Sequence, residues 1–232
     1  MSKILTLDAS TEACSVALIN ETEVTERYQL APRQHAKLLL PMVEELLAGS
    51  QLKLNQLDAI ACSVGPGAFT GIRIAVSVAQ GLAYGANLPT IALSSLANLA
   101  ALGFAKTAQK EWLCAIDARM NEVYFAGYKI NDGIPQLIEN EQVVKPNGIE
   151  INDIELTLST VGLIGSGWPA YADSMYSNGL SEAQLLADCY PSAKYGLSQA
   201  QALLNNNVIL APEELQPTYL RNNVAVKKTV NN

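Results

Sequence analysis

The chain has 232 residues, enough for one large domain or two small ones, with nearly half of them hydrophobic and 16% charged. That composition supplies a sizeable core and excludes the disordered and fibrous classes. A net charge of −7, a pI near 4.8 and basic residues scattered apart from Lys227–Lys228 argue against tight autonomous binding of nucleic acid, though not against a joint surface with a partner.

The N-terminus reads as a strand at Ile4–Leu7, a polar turn at Asp8–Glu12, a second strand at Cys14–Ile19 and a third near Glu23–Tyr28, which together form a meander. A helix is expected from about Gln34 to Ala48, ended by Gly49-Ser50. Leu57–Val64 reads as a buried strand closed by Gly65-Pro66-Gly67, followed by a long helix from about Thr70 to Tyr84. Thr90–Leu93 is a short strand, and Ser94-Ser95 suits the N-cap of a helix through Ala101.

The chain then restarts. Trp112–Ile116 and Glu122–Ile130 read as strands around the turn Asp117–Asn121, and Ile116-Asp117-Ala118 repeats Leu7-Asp8-Ala9 after 109 residues. Two halves that each begin with an aspartate-bearing hairpin suggest a duplicated α/β domain, with chance similarity of two hairpins as the competitor. Beyond Asn131–Leu158, Val161–Ile164 runs into Gly165-Ser166-Gly167, with helical segments expected at 168–177, 181–187 and 198–204. The expected organisation is an N-terminal lobe at 1–104, a C-terminal lobe at 105–197, a segment at about 198–222 packing back on the first, and a disordered tail at 223–232.

Cys14, Cys62, Cys114 and Cys189 form no C-x-x-C, and three lie in apolar runs, so buried free thiols are expected. No charged-then-apolar leader opens the chain, and no apolar run reaches the ~18 residues of a membrane span. Together these place the protein in the cytoplasm, away from membranes.

Three turns sit where an α/β protein would hold a phosphate: Asp8-Ala9-Ser10-Thr11, Gly65-Pro66-Gly67 and Gly165-Ser166-Gly167. An acid and a hydroxyl in such a hairpin can wrap phosphates and orient a metal, or simply satisfy local backbone N–H groups. The second turn lacks the Walker A lysine, because Ile72 follows Gly71, and a lone G-x-G says little in the third. The only histidine, His35, has no ligand-spaced companion and reads as a surface or helix-cap residue.

The two helices of the first half are apolar around most of their circumference. Leu38, Leu39, Met42, Val43 and Leu46 mark the first; Gly71, Ile72, Ala75, Val78, Ala79 and Leu82 mark the second. A helix on a sheet needs one apolar stripe of about 100°. The excess is covered either by the neighbouring helix or by another chain, and Gly71, Ala75 and Ala79, four apart, would permit close approach.

Ile4–Leu18, Ser63–Ile74, Asp117–Tyr124 and Gln216–Asn222 together resemble the TsaB (YeaZ) family of bacterial tRNA threonylcarbamoyladenosine biosynthesis proteins. The resemblance implies the duplicated two-lobe fold of actin, hexokinase and the Hsp70 ATPase domain, which is ribonuclease H-like. It also implies a non-catalytic subunit for threonylcarbamoyl transfer to the adenosine beside the anticodon of tRNAs reading ANN codons. The paralogue that performs the transfer, of TsaD type, binds metal through two histidines four apart, and those positions fall on Ser95 and Leu99 here. The family pairs through helices of the N-terminal lobe, as a homodimer or with the paralogue, and a TsaE-type P-loop ATPase joins nearby. tRNA is reached only through that complex.

With the resemblance in hand, the eleven apolar helix residues named above become an expected partner interface. Asp8, Ser10, Thr11, Gly65, Gly67, Gly165 and Gly167 become a vestigial nucleotide site without a required cofactor, weak ATP or ADP binding being left open. The alternatives are a sugar-kinase-type phosphotransferase using Asp8 and the glycine turns, and a metallopeptidase, which the missing histidines oppose.

Overall fold

The structure, a computed structural model, describes residues 2–149, 155–176 and 180–221, so the expected tail at 223–232 lies outside the described residues. The first half contains β1 (Lys3–Asp8), β2 (Ala13–Asn20), β3 (Glu23–Leu30), α1 (His35–Gly49), β4 (Ala59–Gly65), α2 (Phe69–Ala86), β5 (Thr90–Ser94) and α3 (Ser95–Thr107). The second contains β6 (Glu111–Arg119), β7 (Glu122–Asn131), β8 (Ile134–Leu137), β9 (Gln142–Val144), β10 (Gly162–Ile164), α4 (Gly167–Ala170), α5 (Ala172–Met175), β11 (Leu185–Leu186) and α6 (Leu197–Asn205).

The sheets repeat one plan. The first runs β3-β2-β1-β4-β5 and the second β8-β7-β6-β10-β11, with β9 also pairing to β7. In each, an antiparallel meander of three strands continues into two parallel strands. The expected helix at 181–187 is instead a 3-10 turn at Glu182–Gln184 and the strand β11, whose Leu185 and Leu186 pair with Leu163 and Ile164. A two-residue apolar run carries no period, so the sequence could not separate the two outcomes.

Strand alternation sends side chains to two cores per sheet. Leu5, Leu7, Val16, Leu18, Ile60 and Cys62 face α1 and α2, while Ile4, Ala59, Ala61 and Ile91 face Ala200, Leu203 and Leu204 of α6. In the second sheet, Trp112, Cys114, Ile116, Ala126 and Tyr128 face Leu96, Leu99, Ala100 and Leu102 of α3. Leu113, Ala115, Val123 and Phe125 pack on Trp168 and Met175. The helix that ends each half thus covers the sheet of the other.

Several polar ties fix this exchange. The Ser94 hydroxyl caps α3, accepting from the N–H groups of Leu96 and Ala97 at 3.1 and 3.2 Å. The same hydroxyl donates to the Glu141 carboxylate, which also accepts from Tyr128 Oη at 2.5 Å. After α6 the chain returns to the first lobe. Leu210 bridges Thr90, Leu215 is fully buried in the first core and accepts from Gln80 Nε2 at 3.0 Å, and Thr218 N–H donates to Val64 O at 2.9 Å.

Trp112 lies buried between α3 and β10, where an added Cβ at Gly103 or Gly162 would come within 2.6 or 2.5 Å of its ring. Gly103→Ala and Gly162→Ala are each expected to lower unfolding free energy by about 1–3 kcal/mol, measured by urea denaturation with tryptophan fluorescence.

Burial pushes the Glu141 carboxyl above its ordinary value of 4.5, against the hydrogen bonds from Ser94 and Tyr128 that pull it down. The folded state therefore holds the proton more tightly than the unfolded state. This contribution to stability is fully present below pH 4.5 and is lost as pH rises through the raised value. Glu141→Gln is expected to remove that decline, seen as a flatter urea midpoint against pH than the wild type shows.

Candidate functional site

The tips of the two aspartate hairpins face each other across a cleft of about 740 Å³ between the lobes. One wall is formed by Ser10, Thr11 and Glu12 with the start of α2 at Gly67–Thr70, the other by Ile116–Arg119, Tyr124 and Ser166. Tyr190 and the segment Thr218–Arg221 complete the lining.

Asp8 sits at the end of β1 and is almost wholly buried, behind the cleft lining. One carboxylate oxygen accepts from Ser10 N–H at 2.9 Å and Ser10 Oγ at 2.7 Å, the other from Ser63 Oγ at 2.5 Å and Asn98 Nδ2 at 3.1 Å. Four donors fill the roughly four acceptor positions of a carboxylate, leaving none for a metal. Asp8 thereby ties the hairpin turn, β4 and α3 together.

Of the residues expected to form a nucleotide site, Ser10, Thr11 and Gly67 border the cleft, whereas Asp8, Gly65, Gly165 and Gly167 do not. The glycines answer packing demands. At Gly67 an added Cβ would lie 2.1 Å from Ser10 O, because Ala68 N–H donates to that carbonyl at 2.7 Å and draws the turn against the hairpin. Gly65 holds φ +118°, which L side chains rarely adopt. Gly165 and Gly167 let their turn lie on β6, where added Cβ atoms would meet Ala115 O at 2.2 Å and Ala115 Cβ at 2.9 Å. Ser166 between them does border the cleft, and its Oγ accepts from Asp117 N–H at 3.2 Å.

Asp117, the repeat partner of Asp8, has diverged in role. Its carboxylate accepts from Arg119 N–H at 2.8 Å, Arg119 Nη1 at 2.9 Å and Tyr171 Oη at 2.9 Å. Arg119 then reaches across the lobes to Glu12 at 3.3 Å, closing the gap between the hairpin tips. Both partners are well exposed, so the pair contributes at most about 1 kcal/mol.

A stronger closure comes from the C-terminal segment, anchored on the first lobe by Leu215 and Thr218. Arg221 donates to Ala118 O at 3.2 Å and forms an ion pair with Glu122 on the second hairpin. The sequence reading expects this segment to pack on the first lobe but gives no sign of its contacts with the second hairpin, whose residues are about 100 positions away in the chain.

Reactive groups are scarce around the cleft. All four cysteines are free and buried. Burial, with the nearby Asp8 charge, pushes Cys14 up to about 11 and Cys62 well above its ordinary range, so both stay thiols. His35 begins α1 and is buried, its Nε2 lying 3.2 Å from Ala13 O, so the expectation of a surface or cap residue is corrected. Among the described residues no three His, Cys, Asp or Glu side chains group closely enough to hold a metal ion, and no helix is long and apolar enough to cross a membrane.

The expected interface is also redrawn. Leu39, Met42, Val43, Leu46, Gly71, Ile72, Ala75 and Ala79 are buried within the chain's own first core. The small stripe at Gly71, Ala75 and Ala79 faces inward, and a Cβ on Gly71 would stand 2.0 Å from Ala9 O, so it seats α2 on the first hairpin. Leu38, Val78 and Leu82 remain only half-buried at the edge of that core, as does Ile74. Gly81 and Gly85 open onto empty space on α2.

Against known proteins, residues 18–228 match the family described as TsaD, tRNA N6-adenosine threonylcarbamoyltransferase. The chain is 41% identical to the tRNA threonylcarbamoyladenosine biosynthesis protein TsaB of Escherichia coli K12, over 97% of both chains. It is likewise 41% identical to the TsaB of Haemophilus influenzae, over 97% of this chain and 96% of that one. The chain belongs to the TsaB family. The solved structure titled YeaZ from Pseudomonas aeruginosa superposes with a TM-score of 0.86 at 38% identity, covering 95% of this chain and all of that one. Within the TsaB family the duplicated two-lobe α/β architecture seen here is the shared frame.

Asp8→Ala removes the acceptor of the Ser10 N–H and the Asn98 amide, both enclosed by the core. The expected loss is about 3 kcal/mol of unfolding free energy in urea, at ~1–3 kcal/mol per orphaned buried group. Because every acceptor position on Asp8 is filled, millimolar magnesium should leave the wild-type thermal midpoint unchanged; a clear upward shift abolished by Asp8→Asn would contradict this.

Proposed function

We propose that the protein is a non-catalytic subunit of the tRNA threonylcarbamoyladenosine machinery that pairs with a TsaD-type paralogue through the outward face of α2. The observation that carries this reading is the character of that face. Ile74, Val78 and Leu82 leave apolar surface half-covered at the core edge, while Gly81 and Gly85, one turn apart, offer room for another helix to approach. Small residues at four-residue spacing permit close contact between helices, and a half-covered apolar face gains by burial. Leu38 of α1 belongs to the same core edge and extends the face.

The non-catalytic part of the reading is supported by Ser95 and Leu99. These positions correspond to the paralogue's two metal-binding histidines, and here both are fully buried on α3, Leu99 in the apolar core with Trp112. Neither a hydroxyl nor a hydrocarbon side chain can replace an imidazole as a metal ligand. Homodimer formation in isolation and recruitment of a TsaE-type P-loop ATPase beside the same interface complete the proposed assembly, which acts in the cytoplasm and without a cofactor of its own.

The test compares three variants in size-exclusion chromatography with the paralogue. Gly81→Glu places a charge in open space and replaces a helical glycine, so the monomer should be unharmed or slightly stabilised, by up to ~1 kcal/mol, while pairing falls more than tenfold. Val78→Glu should also lose pairing while remaining folded, whereas Ala75→Glu should unfold the monomer because Ala75 is 0% exposed. Normal pairing by both Gly81→Glu and Val78→Glu would sink the interface assignment. A modification assay omitting each subunit in turn should show no transfer by this chain alone.

A further inference from the structure

Two segments remote in sequence, Ser63–Ile74 and Gln216–Arg221, meet at the mouth of the cleft in a way the pairing role does not use. Phe69 and Tyr219 stand with ring centroids 6.3 Å apart, inclined at 38°, and remain 60% and 52% exposed. The Arg73 guanidinium lies 3.1 Å from the Phe69 centroid and 4.9 Å from that of Tyr219, and it donates to Phe69 O at 3.1 Å. On the second lobe, exposed Met120 lies with its sulfur 3.3 Å from Arg221 Nη1.

The other two arginines at the cleft are neutralised, Arg119 by Glu12 and Asp117 and Arg221 by Glu122. Arg73 has no carboxylate within ion-pair distance among the described residues. The surface therefore offers two open aromatic rings with one uncompensated, orientationally fixed cation beside them. A ligand that satisfies both features carries a flat π-face and a negative charge within a few ångströms of each other, which is the chemistry of a nucleotide.

We propose that Phe69, Arg73 and Tyr219 form a stacking platform for an unstacked nucleotide of an RNA, the base lying on an exposed ring and its phosphate beside Arg73. This rests on the tRNA-modifying reading given above and extends it to a direct RNA contact by this subunit. An RNA nucleotide fits better than a free one. A small ligand is normally enclosed over most of its surface, whereas these rings lie more than half in solvent, and the Glu12–Arg119 pair crosses the gap between the hairpins. An acidic peptide would satisfy Arg73 but leave the ring faces unused. With a net charge of −7 the chain offers few further phosphate contacts, so the platform guides a strand whose other phosphates are held by the paralogue.

The test titrates an anticodon stem-loop RNA of an ANN-reading tRNA by fluorescence anisotropy into the full chain mixed with its paralogue, with pairing followed separately by size exclusion. Phe69→Ala and Tyr219→Ala should each weaken RNA binding about tenfold, the share of one base stack, with pairing unchanged, and Tyr219→Phe should retain affinity. Arg73→Gln should reduce the slope of log affinity against log salt by about one. Unchanged RNA affinity in these variants, or no RNA binding by the pair, overturns the platform. Loss of pairing in the same variants assigns the patch to a protein interface instead, and saturable ATP binding that requires Tyr219 while RNA affinity is unaffected assigns it to a free nucleotide. Should the wild type not pair, the scaffold reading fails on its own, and titration of the chain alone then decides the platform: an RNA affinity that drops in Tyr219→Ala keeps it, and none overturns it.

Discussion

The Asp8 carboxylate is shut away from water, so its charge must be compensated by hydrogen bonds from the protein itself. The donors come from the hairpin turn (Ser10), the neighbouring strand (Ser63) and the helix that crosses to the second lobe (Asn98). Each would be misplaced by a shift of roughly an ångström, so the carboxylate sets the register among them. The hairpin must then sit close to the β4–α2 turn, which is why Gly67 and Gly71 tolerate no side chain there. It also fixes where α3 starts across the second sheet, and with it the slot in which Trp112 lies against Gly103.

Duplication explains the architecture, and divergence at one repeated residue explains the cleft. Asp8 ends and Asp117 nearly ends the central strands of equivalent sheets, yet one is sealed into the core while the other lies partly exposed, held by Arg119 and Tyr171. The difference lies in what surrounds them. Ser63 and Asn98 close over Asp8, whereas an arginine two residues beyond Asp117 turns the second hairpin toward Glu12. A site that could have opened between two like hairpins is instead bridged by an ion pair and by Arg221.

Much of the fold could be read from the residues. The alternation Ile4/Leu5/Thr6/Leu7 and Trp112/Leu113/Cys114/Ala115 fixes strands with two buried faces, and the Leu7-Asp8-Ala9 echo at Ile116-Asp117-Ala118 discloses the repeat. β11 escapes the sequence because two leucines cannot display a period, and α3 runs six residues past its expected end, Ala101, with Gly103 serving as a slot for Trp112. The site was harder. Ser10, Thr11 and Gly67, expected at a nucleotide site, line the cleft, but Arg119, Tyr190 and Thr218–Arg221 arrive through tertiary contacts with no local signature. Apolar content around α1 and α2 was visible while its direction was not, since a stripe of Gly71, Ala75 and Ala79 fits equally against a sheet or against a second helix.

The exchange of terminal helices between the lobes bears on the order in which the chain can fold as it is made. The face of the first sheet that carries Ile4, Ala59, Ala61 and Ile91 packs on Ala200, Leu203 and Leu204. A ribosome that has released the first hundred residues has therefore exposed half of a sheet whose lid is still a hundred residues from synthesis. Folding of the two lobes is coupled to completion of the whole polypeptide, and the nascent first lobe presents an apolar surface of the kind chaperones recognise.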